Sequence, residues 1–205
     1  LRGRACDMQD PQEQLMTHDF SILLKALQFS ATKHRHQRRK DSAASPYINH
    51  PIKVANILWT IGGVHDEEAI VAAVLHDTIE DTDTTSEEIL ELVGAGVLSL
   101  VREMTDDKSL PKEARKKNQV ETAPRLSSRA KQIKLADKIC NIHDIAHAPP
   151  QNWTTQRKME YLQWAEKVVD GLRGVNEELE KYFDETLVRA RQKVLHEAGR
   201  DAPKQ

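Results

Sequence analysis

The sequence has few residues of several kinds, and each shortage excludes a class of protein. Aromatic residues make up 4% of the 205 residues, and there are two cysteines, Cys6 and Cys140. Two distant cysteines do not form the disulfide framework of a small secreted domain and are typical of a reducing compartment. No apolar run reaches the roughly 18 residues of a spanning helix, and no signal-peptide pattern is visible. We therefore expect a cytoplasmic protein with no membrane partner.

An excess of charge of one sign is also missing. The 30 Lys and Arg residues and the 32 Asp and Glu residues leave a formal net charge of −2. This balance argues against a general nucleic-acid or anionic-membrane binder, so an anionic ligand would have to meet a local basic patch. The chain has no glycine-rich phosphate loop and no internal repeat. Its length suits one domain with a sizeable core.

The spacing of apolar residues predicts helices along most of the chain. No stretch shows the sustained two-residue alternation of a strand, so we expect an all-α fold. Asp66 is expected to cap a helix that ends near residue 76. Thr85 and Glu88 form a capping box for a short helix through Val93, and residues 94–96 should break it before another helix starts at Val97. Ser127 is expected to cap a long helix over residues 129–147.

The domain boundaries follow from where the helical pattern begins and ends. Residues 1–17 have no periodic apolar pattern and are assigned to a disordered or artificial extension. Residues 18–197 are assigned to one domain, whose last two helices cover about 155–172 and 176–197, and residues 198–205 to a loose tail. The apolar positions that we expect to form the buried faces of the first and last helices are Phe20, Leu23, Leu24, Leu27, Ala31, Leu179, Phe183, Leu187 and Leu195.

The most crowded chemistry lies at residues 76–81, with the sequence HDTIED. On a helix, Glu80 shares a face with Asp77, and both Glu80 and Asp81 lie near His76. Without a cation these carboxylates would repel one another, and at least one would tend to hold its proton. A divalent metal removes the repulsion, with His76 and Asp77 as ligands and the other two residues handling its water. The alternative is an acidic helix end that runs into a polar loop.

Two further residues, His50 and Asp137, are candidate metal ligands only if the fold brings them close to this cluster. His50 opens the second predicted helix, where a lone histidine is more often a cap or a surface residue. Asp137 lies in an otherwise apolar helix face, which is costly unless the carboxylate is paired or bound to a metal. A salt bridge to Lys134 or Lys138 is the alternative for Asp137.

Two segments concentrate positive charge. Residues 33–40 contain five Lys and Arg residues, and the predicted helix after Pro111 carries Lys112, Arg115, Lys116 and Lys117. The structural interpretations are a solvated helix end, where cations favour the helix dipole, and a solvent-facing basic helix. Because the arginine fork suits pairs of phosphate oxygens, both segments are also candidates for polyphosphate binding if they face the metal.

The order His50, His76-Asp77, Asp137 resembles the HD-domain metal-dependent phosphohydrolases. The strings PYINHP (46–51), HDTIED (76–81), TDDK (105–108) and LADKICN (135–141), together with Arg39-Lys40, are similar to the hydrolase domain of the RelA/SpoT alarmone enzymes. The resemblance is greatest to the stand-alone small alarmone hydrolases and covers roughly residues 18–190. It implies an HD-domain bundle of roughly eight to ten helices around one metal site.

The resemblance also implies roles for individual residues. The ligands of one metal, usually Mn²⁺, would be His50, His76, Asp77 and Asp137. Two imidazoles and two carboxylates suit Mn²⁺ or Fe²⁺ and can also take Zn²⁺. Glu80 and Asp81 match the catalytic acidic pair that orients and deprotonates the attacking water. The substrate-binding residues would be Arg39, Lys40, Asn141 and Tyr161, to which we add Lys112 and Lys134.

The implied reaction is removal of the 3′-pyrophosphate from ppGpp or pppGpp, giving GDP or GTP and pyrophosphate. The substrate partner is thus a guanine nucleotide alarmone rather than a nucleic acid, and a homodimer is compatible with the resemblance. An alternative is a phosphatase of the same fold acting mainly on another phosphorylated nucleotide, such as the 2′-phosphate of NADPH. A non-enzymatic alarmone sensor would have a damaged catalytic set, whereas this set is complete. The family commonly has Arg where this chain has His143, which would weaken substrate binding or make it pH-dependent.

Overall fold

The computed structural model describes residues 20–201. This part of the chain is all-α, as predicted, apart from an isolated antiparallel bridge between Arg38 and Pro46. The extension assigned to residues 1–17, with Cys6, and the end of the predicted tail at 202–205 lie outside the described residues. Within residues 20–201, none of the helices combines the length and the hydropathy that a membrane span requires. The helices are α1 (Phe20–Lys33), α2 (Asn49–Thr60), α3 (Glu67–Leu75), α4 (Thr78–Asp81), α5 (Ser86–Met104), α6 (Lys112–Thr122), α7 (Ser128–His147), α8 (Thr155–Asp170) and α9 (Glu177–Asp201), with a 3₁₀ turn at Ala123–Arg125.

Helix α3 lies at the centre of the bundle. Every residue from Ala69 to Leu75 is buried, and α1, α2, α5 and α7 all pack against this helix. The side chain of Asp66 accepts a hydrogen bond from the Ala69 amide at 3.1 Å and begins the helix, as predicted. A helix that is apolar on all sides and rich in alanine lets its neighbours approach closely. It therefore places His76, the residue that follows it, inside the protein.

Helix α7 is the second central element. Ser127 caps it, as predicted, and most of its length from Ala130 to Ala146 is buried against α2, α8 and α9. Because α2 and α7 pack on each other and on α3, the start of α2, the end of α3 and the middle of α7 meet at one place. This junction is where the polar side chains of the site converge.

Helix α5 shows how local signals in the sequence determine local structure. The capping box of Thr85 and Glu88 is present at its start. The predicted interruption is a kink at Gly94, whose φ of 85° and ψ of 176° are accessible to glycine and strained for other residues. The kink lets one segment bend around the core while its apolar side, which includes Ile89 and Val97, remains buried.

Four predicted core positions are wrong. Phe20 and Leu24 are 61% and 63% exposed, Leu195 is 56% exposed, and Ala31 is exposed as well. In α1 the small residues Ala26 and Ser30 are buried instead, because small side chains allow the closest approach to α3. The prediction followed the large apolar residues of α1, so the predicted buried face is rotated about the helix axis relative to the observed one. At the other end α9 runs to Asp201, so residues 198–201 are helical.

Candidate metal centre and active site

Three helices bring His50, His76 and Asp137 together. One ligand atom from each residue lies within 4.8 Å of the other two. Nε2 of His50 is 3.1 Å from Oδ1 of Asp137, and Nε2 of His76 is 3.9 Å from the same oxygen. All three residues are buried. The arrangement offers two imidazole nitrogens and a carboxylate oxygen to a single point inside the protein.

Asp77 joins this group from the turn between α3 and α4. Its Oδ2 lies 3.1 Å from Nε2 of His76 and 3.7 Å from Nε2 of His50. The hydroxyl of Tyr47 donates a hydrogen bond to the same Oδ2. The four side chains that the sequence analysis singled out as ligands therefore lie in one cluster.

The hydrogen bonds of the two imidazoles leave the correct nitrogens facing the cluster. Nδ1 of His76 lies 2.8 Å from the carbonyl oxygen of Ala73, and Nδ1 of His50 lies 3.3 Å from Sγ of Cys140. In both rings Nε2 therefore points towards the carboxylates, and Nε2 of His76 is buried without a hydrogen-bond partner among the described residues. Metal-binding histidines usually have their other ring nitrogen held in this way. The residues fit a divalent cation.

The charges of the cluster also suit a cation. Burial opposes ionisation of Asp77, but His76 and His50 hold the pKa of this carboxyl well below its usual range. Burial likewise opposes ionisation of Asp137, while Lys138, 3.1 Å from Oδ2, and the two histidines hold its pKa well below the usual range. Asp137 thus uses Oδ2 for a salt bridge and directs Oδ1 at His50, so its two sequence-based interpretations are compatible. Both carboxylates are ionised and can bind a metal.

The acidic pair Glu80 and Asp81 lies on α4, immediately after the cluster. Oε2 of Glu80 accepts a hydrogen bond from the Asp106 amide at 3.1 Å, and its Oε1 lies 3.4 Å from Arg115. Burial, together with the charge of Asp106, raises the pKa of Glu80 to about 7. Asp81 accepts hydrogen bonds from Lys108 on one oxygen and from Gln37 on the other. The two carboxylates therefore have different environments.

Two cavities open beside the acidic pair. They have volumes of about 380 and 650 Å³, and Lys40, Trp153 and Tyr161 line both. Asp81 lines the smaller cavity, together with Arg39 and Asn141. The larger cavity is lined by Glu80 and by the cationic side chains Lys112, Arg115, Lys116 and Arg157. Together the cavities form a highly charged, partly aromatic space beside the acidic pair, in which carboxylates such as Glu113 and Glu160 accompany the cations.

Among the predicted substrate-binding residues, five line one or both of these cavities. Lys40 and Tyr161 lie in the wall common to the two cavities, and Lys112 lies in the larger one. Arg39 donates to Oδ1 of Asn141 at 3.1 Å and is ion-paired with Asp144 at 2.9 Å. Its guanidinium therefore already has polar partners and orders the side of the smaller cavity.

Two other expected positions lie away from the cavity walls. Lys134 is buried in α7, and burial together with Lys138 lowers its pKa. It lines neither of the two cavities, so a contact with substrate stays a prediction. His143 is stacked on His147, with ring centroids 4.2 Å apart, and also lines neither cavity. Its effect on substrate binding stays a prediction too.

Sequence reasoning missed the residues that hold the acidic groups. Tyr47 donates to Asp77, Lys108 and Gln37 donate to Asp81, and none of the three was assigned a role. Tyr47 and Lys108 lie within the strings PYINHP and TDDK, which was the available signal. Gln37 lies in the basic segment 33–40, and no sequence signal distinguishes it from its charged neighbours.

Comparison with known proteins shows the family of the chain. A family model described as an HD domain matches residues 26–165. The chain is 51% identical over 169 residues to a Xenopus tropicalis protein named guanosine-3′,5′-bis(diphosphate) 3′-pyrophosphohydrolase MESH1. The match covers 82% of this chain and 94% of the relative. The human protein of the same name is 53% identical over 166 residues, covering 81% and 93%.

Solved structures give the same result. A metazoan orthologue of SpoT, described as hydrolysing ppGpp, superimposes with a TM-score of 0.80 at 48% identity, covering 82% of this chain and 95% of the other. A protein from Listeria monocytogenes superimposes with a TM-score of 0.58 at 30% identity, covering 71% and 99%. The all-helical bundle, the buried cluster and these similarities agree, and the chain belongs to the HD-domain family, alongside the MESH1 proteins.

Proposed function

We propose that the protein is a metal-dependent hydrolase that removes the 3′-pyrophosphate from ppGpp or pppGpp, giving GDP or GTP and pyrophosphate. The observation that carries this proposal is the cluster of His50, His76, Asp77 and Asp137 near cavities that lysine and arginine side chains help to line. The relatives that share half of the sequence over nearly their whole length are named for this reaction.

The four clustered side chains are the proposed ligands of one divalent cation. A mixed set of two imidazoles and two carboxylates without thiolate suits Mn²⁺, which we propose as the metal, and is also compatible with Fe²⁺ and Zn²⁺. When bound, such a cation supplies Lewis-acid polarisation of a phosphate oxygen and lowers the pKa of a bound water. Burial lowers the pKa of His76, but the charges of Asp77 and Asp137 outweigh burial and raise this pKa to about 9. Metal binding therefore has to displace a proton from the His76 ring.

Glu80 and Asp81 are the proposed catalytic pair. Glu80 has a pKa of about 7, close to the range in which a group can both take and return a proton near neutral pH. Asp81, paired with Lys108, provides an acceptor for a second water hydrogen. The two carboxylates would orient the attacking water, remove its proton and assist departure of the leaving oxygen.

The larger cavity contains lysine and arginine side chains that can bind a polyphosphate. Its lysine and arginine side chains crowd together, and burial together with Lys116 and Arg157 lowers the pKa of Lys112. Glu113 offsets this lowering only in part, and phosphate oxygens would stabilise the charged form of Lys112 further. The adjacent Tyr161 packs against Trp153 and Trp164, with ring centroids 5.5 and 5.2 Å away, and offers an aromatic surface beside the charges.

The smaller cavity supplies the remaining proposed contacts. Arg39 and Asn141 are hydrogen-bonded to each other and face the same space as Asp81. We assign Arg39, Lys40 and Asn141 to substrate binding on this side, and we keep Lys134 as a further proposed contact.

Product analysis tests the proposal. Purified protein with Mn²⁺ should convert ppGpp into GDP and pyrophosphate in equal amounts, with no inorganic phosphate. NADPH at the same concentration is the comparison substrate, and phosphate release from it faster than pyrophosphate release from ppGpp would favour the alternative phosphatase. Release of single phosphates from ppGpp would contradict the proposed bond cleavage.

A further inference from the structure

A hydrogen-bonded chain leads from the loop between α1 and α2 to Asp81. Nε2 of Gln37 lies 3.3 Å from Oδ2 of Asp81, and Oε1 of Gln37 lies 2.6 Å from Nδ1 of His34. The backbone of Gln37 is fixed as well, because its amide donates to the carbonyl of His34 at 2.9 Å and its carbonyl accepts from Tyr47 at 3.2 Å. Both the backbone and the side chain of Gln37 are therefore fixed by hydrogen bonds other than the one to Asp81.

The chemistry of the groups sets the direction of this chain. An ionised carboxylate can only accept hydrogen bonds, so the amide NH₂ of Gln37 has to face Asp81. The amide oxygen then faces His34, and Nδ1 of His34 has to carry the hydrogen. Nε2 of His34 is buried without a partner within residues 20–201. The neutral Nδ1–H form leaves a lone pair unpaired there rather than an N–H group, which is the smaller cost.

The other oxygen of Asp81 is held differently. Its partner Lys108 is 48% exposed and has a flexible stem, so this contact supplies charge but little orientation. His34, in contrast, is 2% exposed, and its ring packs 4.8 Å from the ring of Tyr47. The rigid support for the Asp81 carboxylate therefore comes from the Gln37 side.

We propose that His34 and Gln37 are positioning residues, which fix the orientation of the Asp81 carboxylate for its work on water. This inference rests on the proposed function, in which Asp81 belongs to the catalytic pair. Neither residue needs to touch the reacting atoms. The three side chains act as a unit, with His34 orienting the Gln37 amide and the amide orienting Asp81.

The main competing role is contact with substrate, since Gln37 also lines the smaller cavity. The two roles differ in kinetics. Loss of a substrate contact raises KM, whereas loss of orientation lowers kcat and leaves KM in place. A misplaced catalytic group can reduce the rate by about 100-fold, so we expect Gln37→Met to lower kcat about 10- to 100-fold with KM within about 2-fold.

A double-mutant cycle tests whether Gln37 acts through Asp81. In the Mn²⁺-loaded enzyme, Gln37→Met added to Asp81→Asn should cost nothing beyond Asp81→Asn alone, because the oriented group is already gone. Full additivity of the two losses, or a rise in KM that accounts for the whole effect, would overturn the inference. Gln28→Met, at an exposed position of α1, is the matched control and should leave kinetics unchanged.

Conservative replacement separates the role of His34 from simple packing. Asparagine can place an N–H group near the position of Nδ1, whereas leucine fills the space without a donor. His34→Asn should therefore keep a kcat at least about 10-fold above that of His34→Leu, with both variants folded and binding Mn²⁺. Equal loss in the two variants would show that only packing matters.

A spectroscopic measurement tests the chain without using activity, so it remains decisive even if ppGpp is not the substrate. In Zn²⁺-loaded protein with ¹⁵N-labelled histidine, the His34 signals, assigned from their loss in His34→Asn, should show a protonated Nδ1, and Gln37→Met should shift them. A neutral Nε2–H form would overturn the inference. Wild-type protein that fails to hydrolyse ppGpp but shows the Nδ1–H form would refute the proposed substrate and leave the hydrogen-bonded chain standing.

Discussion

Glu80 offers the sharpest test, because the residue proposed for catalysis also destabilises the fold. Its side chain is partly buried beside Asp106, Asp77 and Asp81, and its pKa is raised from 4.5 to about 7. Below about pH 4.5 the carboxyl is protonated in both the folded and the unfolded protein, so it has no pH-dependent effect. As the pH rises from there to about 7, the unfolded chain ionises first, and the folded state loses stability.

The size of the loss follows from the pKa values. The difference between 4.5 and about 7 corresponds to about 3 kcal/mol at about 1.4 kcal/mol per unit. Glutamine has nearly the same shape and carries no charge. The stability of Glu80→Gln relative to the wild type should therefore rise by about 3 kcal/mol between about pH 4.5 and pH 8.

Urea unfolding of the metal-free protein at both pH values measures this change. Glu91→Gln, at an exposed position of α5, is the matched control, and its stability relative to the wild type should be nearly the same at both pH values. With Mn²⁺ present, Glu80→Gln should still bind the metal and lose about 10²- to 10⁴-fold in turnover. If the relative stability of Glu80→Gln did not change with pH, burial and the neighbouring carboxylates would not raise the pKa of Glu80 in the folded protein. Retained turnover would remove Glu80 from the catalytic pair.

Three further perturbations test other parts of the site and the fold. Tyr47→Phe removes the hydroxyl that holds Asp77, so calorimetric titration should show about 10- to 100-fold weaker Mn²⁺ binding; unchanged affinity would assign the hydroxyl no role. Lys112→Ala should raise KM for ppGpp with little change in kcat, and the effect should shrink as salt is added; a loss in kcat alone would contradict a binding role. Gly94→Ala forces alanine to a φ of 85° and should cost about 1–3 kcal/mol in urea unfolding, and no cost would show that the kink relaxes.

Local signals explain how much of the fold the sequence predicted. Asp66, Thr85 and Ser127 cap their helices through hydrogen bonds three residues along the chain, so their roles are visible in short segments. The faces of α1 and α9 are set by neighbouring helices, and there the pattern of large apolar residues misled the assignment at Phe20 and Leu195.

The site divides in the same way. His76, Asp77, Glu80 and Asp81 lie within six residues of one another, so the short turn from α3 into α4 is enough to keep them close. The approach of His50 to Asp137, 87 positions further along, depends on how α2 and α7 pack, and only the family resemblance pointed to it. The contact between Gln37 and Asp81 crosses 44 positions, and no sequence pattern indicated it.

Metal dependence is the central claim, and one measurement tests it most directly. Protein stripped of metal with a chelator should not release pyrophosphate from ppGpp, and added Mn²⁺ should restore release of pyrophosphate and GDP together. His76→Ala, which removes one imidazole from the cluster, should neither bind Mn²⁺ nor recover activity. Full pyrophosphate release by the stripped protein, or recovery in His76→Ala, would contradict the assignment of this cluster as the catalytic metal centre.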